Sequence, residues 1–330
     1  MATEWLDIPA GDDSRWRHFL HEVPAVPFSW DERFLTVMHR VFRYHPRRLL
    51  LLENNQPRAG GVFFVRRRLG KEFSTVPFFA FYLPVIATAP SVYHRMNDVA
   101  QFLEHVEHQF HMAECVSMPG TPLCLPYVWR GWEIQVQASG LLPIGDPEET
   151  LQAMDSEERR LIRKARKMES LTVIPSTPAA AFYDLLQGVY GRHDKKPPLS
   201  RRQFERFITA LKETELGVVP GIEANGMLQA ATVVIPYGNT VYGLMLARRL
   251  DTTGSLAALK LIWHVMTTYS AAGLEWYDLG GMEIPSIAQF KLKLGALPRV
   301  VYRCRFIRNR QARMLRNLAS LKNKTLRNLW

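Results

Sequence analysis

The sequence predicts an α/β (α+β) protein of two tandem units, each a mostly antiparallel mixed sheet flanked by helices. Three observations carry that expectation. At 330 residues the chain is long enough for two cores of ordinary size. Asn225-Gly226 and Gly238-Asn239, each set between apolar runs, are strong hairpin signals and imply an antiparallel meander. A coarse order of helices, hairpin, helix and strand also runs twice along the chain, which suits a mixed fold.

In the first half, residues 14–44 alternate at helical spacing, with Ser29 or Asp31 able to cap a helix through Phe34, Val37, Met38 and Val41. Residues 48–53 form an apolar strand, Asn54-Asn55-Gln56-Pro57 is turn chemistry, and residues 59–65 return as a second strand. Residues 73–82 are expected as a further strand, Asn97 as the cap of a helix through Phe102, Val106 and Phe110, and residues 115–118 as a short strand. Residues 132–138 suit a strand before a loop rich in Gly and Pro, 139–147. The boundary is expected here, giving domains 1–131 and 132–306 and a basic amphipathic C-terminal helix, 307–330.

The second half opens with a charged helix capped by Asp155 or Ser156. Its acids come first and its bases last, as the helix dipole favours. A strand at 171–174, helices at 179–190 and 200–215, and strands at 216–223, 227–236 and 240–247 follow. A loop, 248–254, leads into a long helix, 255–272, and a short apolar strand ending at Asp278. Gly280 and Gly281 then bend the chain, Ser286 can cap a helix carrying Phe290 and Lys291, and residues 299–306 form the last strand.

Composition narrows the function. Hydrophobic residues at 47% and charged residues at 22% fit a folded soluble protein rather than a disordered one. A net charge of +11 favours an anionic partner: nucleic acid, an anionic membrane surface or a phosphate-bearing small molecule. Cys115, Cys124 and Cys304 show no paired spacing, which argues against zinc and for a reducing cytoplasm. The first residues lack a basic and apolar leader, so no signal peptide is expected. Pro77, Pro84 and Pro90 interrupt the longest uncharged run, which therefore does not read as a membrane span. His105, His108 and His111 recur every third residue but drift around a helix, so a solvated face is expected and no metal site. His193-Asp194 is expected on the surface. From Val301 onward there is no acid, and Arg303 to Arg327 supply nine basic residues.

Asp278-Leu-Gly-Gly281, a short spacer, then Gln289-Phe-Lys-Leu-Lys-Leu-Gly-Ala296 is the most informative stretch. It resembles the C-terminal signature of the FemABX-like acyltransferases, a branch of the GNAT superfamily, and of their BioF2-like relatives. The string Arg159 to Lys167 resembles the Arg-x-x-Ile-Arg-Lys-Ala-x-Lys element at this position in the same proteins. The resemblance is clearest from Trp132 to Tyr302 and implies two GNAT-like domains, the first on the acceptor side and the second catalytic. It implies acyl or aminoacyl transfer from an activated donor, acyl-CoA or aminoacyl-tRNA, to an amine of a cell-envelope or other polar acceptor. No permanently bound cofactor is expected. Lys291 is expected at the oxyanion or donor phosphate, and Asp278 as proton acceptor or amine positioner. Tyr242, Gly280, Gly281, Gln289 and Phe290 are expected around the substrate, and Arg163, Lys164, Arg249, Thr252 and Gly254 around the donor.

Two departures qualify the pattern. The phosphate loop reads Arg249-Leu-Asp-Thr-Thr-Gly254, so Thr252 replaces the first glycine and Asp251 adds a negative charge; a plain helix start capped by Thr253 or Ser255 fits equally. Tyr82-Leu-Pro-Val85 replaces the Gly-Pro element of bridge-forming relatives. The C-terminal helix is expected on its own domain, on tRNA or at the inner membrane as a peripheral contact. The competing class is a non-catalytic GNAT-like protein docking on RNA or anionic lipid.

Overall fold

A computed structural model describes residues 3–8, 13–121, 124–192 and 194–308. The expected C-terminal helix, all but its first two residues, and His193 lie outside the described residues.

In chain order the elements are β1 (Thr3–Ile8), α1 (Ser14–Glu22), α2 (Glu32–Phe42), β2 (His45–Glu53), β3 (Gln56–Arg68), β4 (Lys71–Ser74), β5 (Val85–Ala87), α3 (Val92–Gln109), β6 (Met112–Val116), α4 (Leu125–Trp129) and β7 (Glu133–Pro143). They continue with α5 (Pro147–Ala153), α6 (Ser156–Lys167), β8 (Thr172–Ile174), α7 (Ala179–Gly191), α8 (Arg201–Glu213), β9 (Gly221–Ala224), β10 (Met227–Tyr237), β11 (Thr240–Arg248), α9 (Thr252–Ala271), β12 (Trp276–Gly281), α10 (Pro285–Lys293) and β13 (Leu297–Ile307).

Local chemistry accounts for most boundaries. The Asp31 carboxylate accepts from the Arg33 amide at 2.8 Å and starts α2. Asn54 and Asn55 hold left-handed φ of 50° and 63° between β2 and β3, and Asn225 and Gly226 hold 51° and 71° between β9 and β10, as two-residue hairpin turns require. Elsewhere the structure differs from expectation. Only Lys71–Ser74 pairs as a strand where residues 73–82 were expected, because Pro77 and Pro84 remove ladder donors. Ser91, not Asn97, caps α3, accepting from the His94 amide at 3.1 Å. Residues 139–143, expected as loop, extend β7. His111 lies beyond the end of α3, and the His105 ring stacks on Trp5 at 4.1 Å, half-buried, instead of facing water.

Two compact units emerge. Among the described residues, one takes those up to 138, apart from 40–42, together with those from 299; the other takes 40–42 and 139–298. In the first, the strand order is β1-β2-β3-β4-β6-β13, and β4·β6 is a parallel pair among antiparallel neighbours. In the second, the end of β7 is followed by β12-β11-β10-β9-β8, with β11·β12 parallel. In each unit a long helix, α3 or α9, leads into the second strand of the parallel pair, as a crossover must. Each unit has its own core: Phe63, Phe102 and Phe110 with Cys115 and Cys304 in the first, Leu142, Val241, Ile262 and Tyr277 in the second.

The division differs from the expected 131/132 cut and from a second domain running to 306. It falls inside β7, and β13 belongs to the first unit. The reason is strand pairing: β13 lies antiparallel to β6, with Cys304 opposite Cys115 and Arg305 opposite Glu114. The end of β7 lies on β12, with Leu142 opposite Tyr277. The first sheet is thus completed by β13, which sequence order assigns to the other half, and β7, expected whole in the second domain, is divided between the two units.

Candidate functional site

The second unit places the signature residues around one turn. Asp278 ends the stretch in which β12 pairs with both neighbours, and it is only 1% exposed. Its Oδ1 accepts from the Ser139 hydroxyl at 2.7 Å and from the Gly280 amide at 2.8 Å. Gly280 holds φ of 76°, a left-handed value that the bend at this point requires. Pro285 opens α10, with Ile284 at the cap and Ser286 inside the helix, so Ser286 is not the cap expected. The helix returns Lys291 to the turn, where Nζ donates to the carbonyls of Gly280 at 3.0 Å and Gly281 at 2.6 Å.

The electrostatics follow from burial. Burial lowers the Lys291 ammonium to about 8, against the pull of Asp278 and Glu283, which favour its proton. Two of its three N–H donors serve carbonyls, leaving one for an incoming oxygen. Tyr242, buried and in register with Asp278, has its phenol pushed far up by burial and then by the Asp278 charge, so it stays neutral. Asp278 is occupied by donors at Oδ1 and shut from solvent, an arrangement better suited to positioning than to proton acceptance. Gln289 and Phe290 point outward from α10 as exposed residues.

Beside Asp278 the sheet opens. β11 pairs with β12 only over Thr240–Trp276, Val241–Tyr277 and Tyr242–Asp278. On its other edge β11 carries an extra residue, Leu244, where Val233 faces Met245 but Val234 faces Gly243. Such a bulge bends a strand and increases its twist. From Gly243 to Arg248 the β11 edge toward β12 therefore has no strand partner among the described residues, and such an edge offers backbone donors and acceptors to an extended ligand.

At the far end of β11 lies a cleft of ≈ 410 Å³ between α6 and the start of α9. Leu161 and Lys164 line one side, Arg248, Leu250, Asp251 and Thr252 the other. Helix α9 begins at Thr252, three residues earlier than expected, because the Asp251 carboxylate caps it through the Gly254 amide at 2.6 Å. A Cβ on Gly254 would lie 2.3 Å from the Arg249 carbonyl oxygen, so this close approach needs glycine. Of the expected donor residues, Lys164 and Thr252 line the cleft. Gly254 is outside the lining, packed against the Arg249 backbone, Arg163 faces solvent one position around α6, and Arg249 turns toward Asp251 at 3.8 Å. Arg248 was missed: it closes a strand, and only the alternation of β11 could have indicated which of two adjacent arginines faces the cleft. Among the described residues no three His, Cys, Asp or Glu come together to hold a metal, and no helix is long and apolar enough to cross a membrane.

Residues 155–292 match the family model described as an acetyltransferase (GNAT) domain. No curated protein matches the chain in sequence. Among solved structures, FemX aligns over 92% of this chain and 97% of its own, with a TM-score of 0.69 at 11% identity. A tandem GNAT protein from the clavulanic acid biosynthesis pathway aligns over 93% and 99%, with a TM-score of 0.59 at 10% identity. L-PGS from Bacillus licheniformis aligns over 91% and 93%, with a TM-score of 0.51 at 10% identity. At these identities the likeness is one of fold, a tandem GNAT architecture.

Proposed function

We propose that this chain, an acyltransferase with a GNAT domain over residues 155–292, moves an acyl or aminoacyl group from a phosphate-bearing donor, acyl-CoA or aminoacyl-tRNA, to an amine of a cell-envelope or other polar acceptor. The observation that carries this reading is the wedge between β11 and β12 leading to the Lys164–Arg248 cleft. An extended donor can add along the free β11 edge, its phosphate meeting two cations and the α9 N-terminus, and its carbonyl meeting the Asp278 turn.

The reaction then needs no covalent enzyme intermediate. The acceptor amine attacks the donor carbonyl carbon, a C–N bond forms, and the carbonyl electrons move onto oxygen. Their return expels the thiolate of CoA or the ribose oxygen of tRNA, and the amine proton leaves with it or to solvent. Lys291 offers its remaining N–H to the oxyanion, Tyr242 supplies a neutral wall for the acyl group, and Asp278 fixes the turn and holds the Lys291 proton. A panel of acyl-CoAs and aminoacyl-tRNAs, with mass spectrometry of copurified ligands, tests the reading. One donor class should bind, and Lys164→Gln with Arg248→Gln should raise its KM with little change in kcat. Absence of binding by every donor would remove the catalytic assignment.

A further inference from the structure

The β3–β4 hairpin of the first unit breaks three local rules at one tip. Its two-residue turn is Leu69-Gly70, with φ of 49° and 70°. Leucine at a left-handed first position is strained, and asparagine is the residue this turn prefers. The same chain obeys that preference at Asn54-Asn55 and Asn225-Gly226. Leu69 is also 100% exposed. Finally, Arg68 stands directly opposite Lys71 in the register, a like-charge pair that weakens a hairpin. A tip that is strained, apolar and self-repelling at once is under a demand other than folding.

The surrounding charge says what meets it. Arg67 pairs with Glu72, which also binds Arg47 at 2.7 Å, while Arg68 and Lys71 have no ion pair among the described residues. The His111 amide donates to the Glu72 carbonyl at 2.9 Å and the Arg308 amide to the His111 carbonyl at 3.0 Å, so Arg308, the last described residue, lies at this end of the same unit. Residues 309–330, which follow in sequence, add six basic residues and no acid. A phosphate backbone would be served by the cations alone and would leave Leu69 in water. An anionic bilayer uses both, taking the leucine into the acyl region while the cations stay among the headgroups.

We propose that the Arg67–Lys71 hairpin tip is a docking point for an anionic lipid bilayer, with Leu69 inserted and Arg68 and Lys71 at the headgroup level. The test is cosedimentation of the full chain with vesicles containing phosphatidylglycerol, against vesicles of phosphatidylcholine alone. Leu69→Asn restores the favoured turn, so it should leave the melting temperature unchanged or higher while weakening vesicle binding roughly tenfold. Arg68→Gln with Lys71→Gln should weaken it by about fivefold per charge, about 25-fold together. The proposal is overturned if the wild-type chain ignores phosphatidylglycerol, or if Leu69→Asn binds vesicles as the wild type does. It is also overturned if the charge variants lose binding to single-stranded RNA while vesicle binding is unchanged.

Discussion

Lys291 is the residue on which the pH behaviour of the site turns. Burial holds its ammonium at about 8, and the proposed role needs the proton, so kcat/KM should fall as pH rises through about 8. Asp278→Asn removes one of the two carboxylates that favour that proton and should move the falling limb to lower pH; an unmoved limb would assign it to another group. Stability changes in the opposite sense. Unfolded lysine keeps its proton up to the ordinary 10.5, so between about 8 and 10.5 the unfolded chain binds more protons and the unfolding free energy rises with pH. Lys291→Met should abolish turnover without loss of fold and remove that rise, which denaturant melts across this range would register. Asp278 and Lys291 were legible as a pair because both sit beside a glycine bend in the sequence. Their partners were not: Ser139 is brought to Asp278 by strand pairing across more than a hundred residues, which no local pattern encodes.

At the scale of elements, helix α9 and the strand before it shape the cleft proposed for the donor. Asp251 looks hostile to a phosphate in the sequence, yet in the structure its carboxylate is the α9 cap. Asp251→Asn keeps a good cap while removing the charge, so it should leave stability nearly unchanged and tighten donor binding severalfold; Asp251→Ala should instead cost about 1 kcal/mol in thermal melts. Arg248→Gln should raise the donor KM where Arg249→Gln does not, since only Arg248 lines the cleft. Equal effects of the two would contradict the cleft assignment. The meander β9–β10–β11 was readable from its turn residues, because hairpin turns depend on residues in immediate contact along the chain. The bulge at Leu244 and the early end of β11·β12 pairing were not, because both depend on which strand lies alongside.

At the scale of the whole molecule, the last described strand, β13, returns to complete the first unit. Glu114, 4% exposed, is held by Arg303 and Arg305 of β13. Burial would raise its carboxyl, but the two arginines hold it below the ordinary carboxylate range. That stabilisation is present above the unfolded pKa and is lost as pH falls through the folded one, so Glu114→Gln should blunt the acid unfolding of the first unit. A polypeptide of residues 132–306 carries β13 without β6 and should aggregate or show poor cooperativity in size exclusion and melting. By itself the sequence determined the mixed class, the hairpins, the charged α6 and the Asp278–Lys291 signature, because propensity, turn chemistry and short spacing act between neighbours in the chain. Only the tertiary structure decided that β13 completes the first sheet and that β7 is divided between the units, that Arg248 rather than Arg249 faces the cleft, and that Asp278 is shut from water. Strand order, register and burial are properties of distant segments meeting, and the free energy that selects them comes from the cores they jointly close.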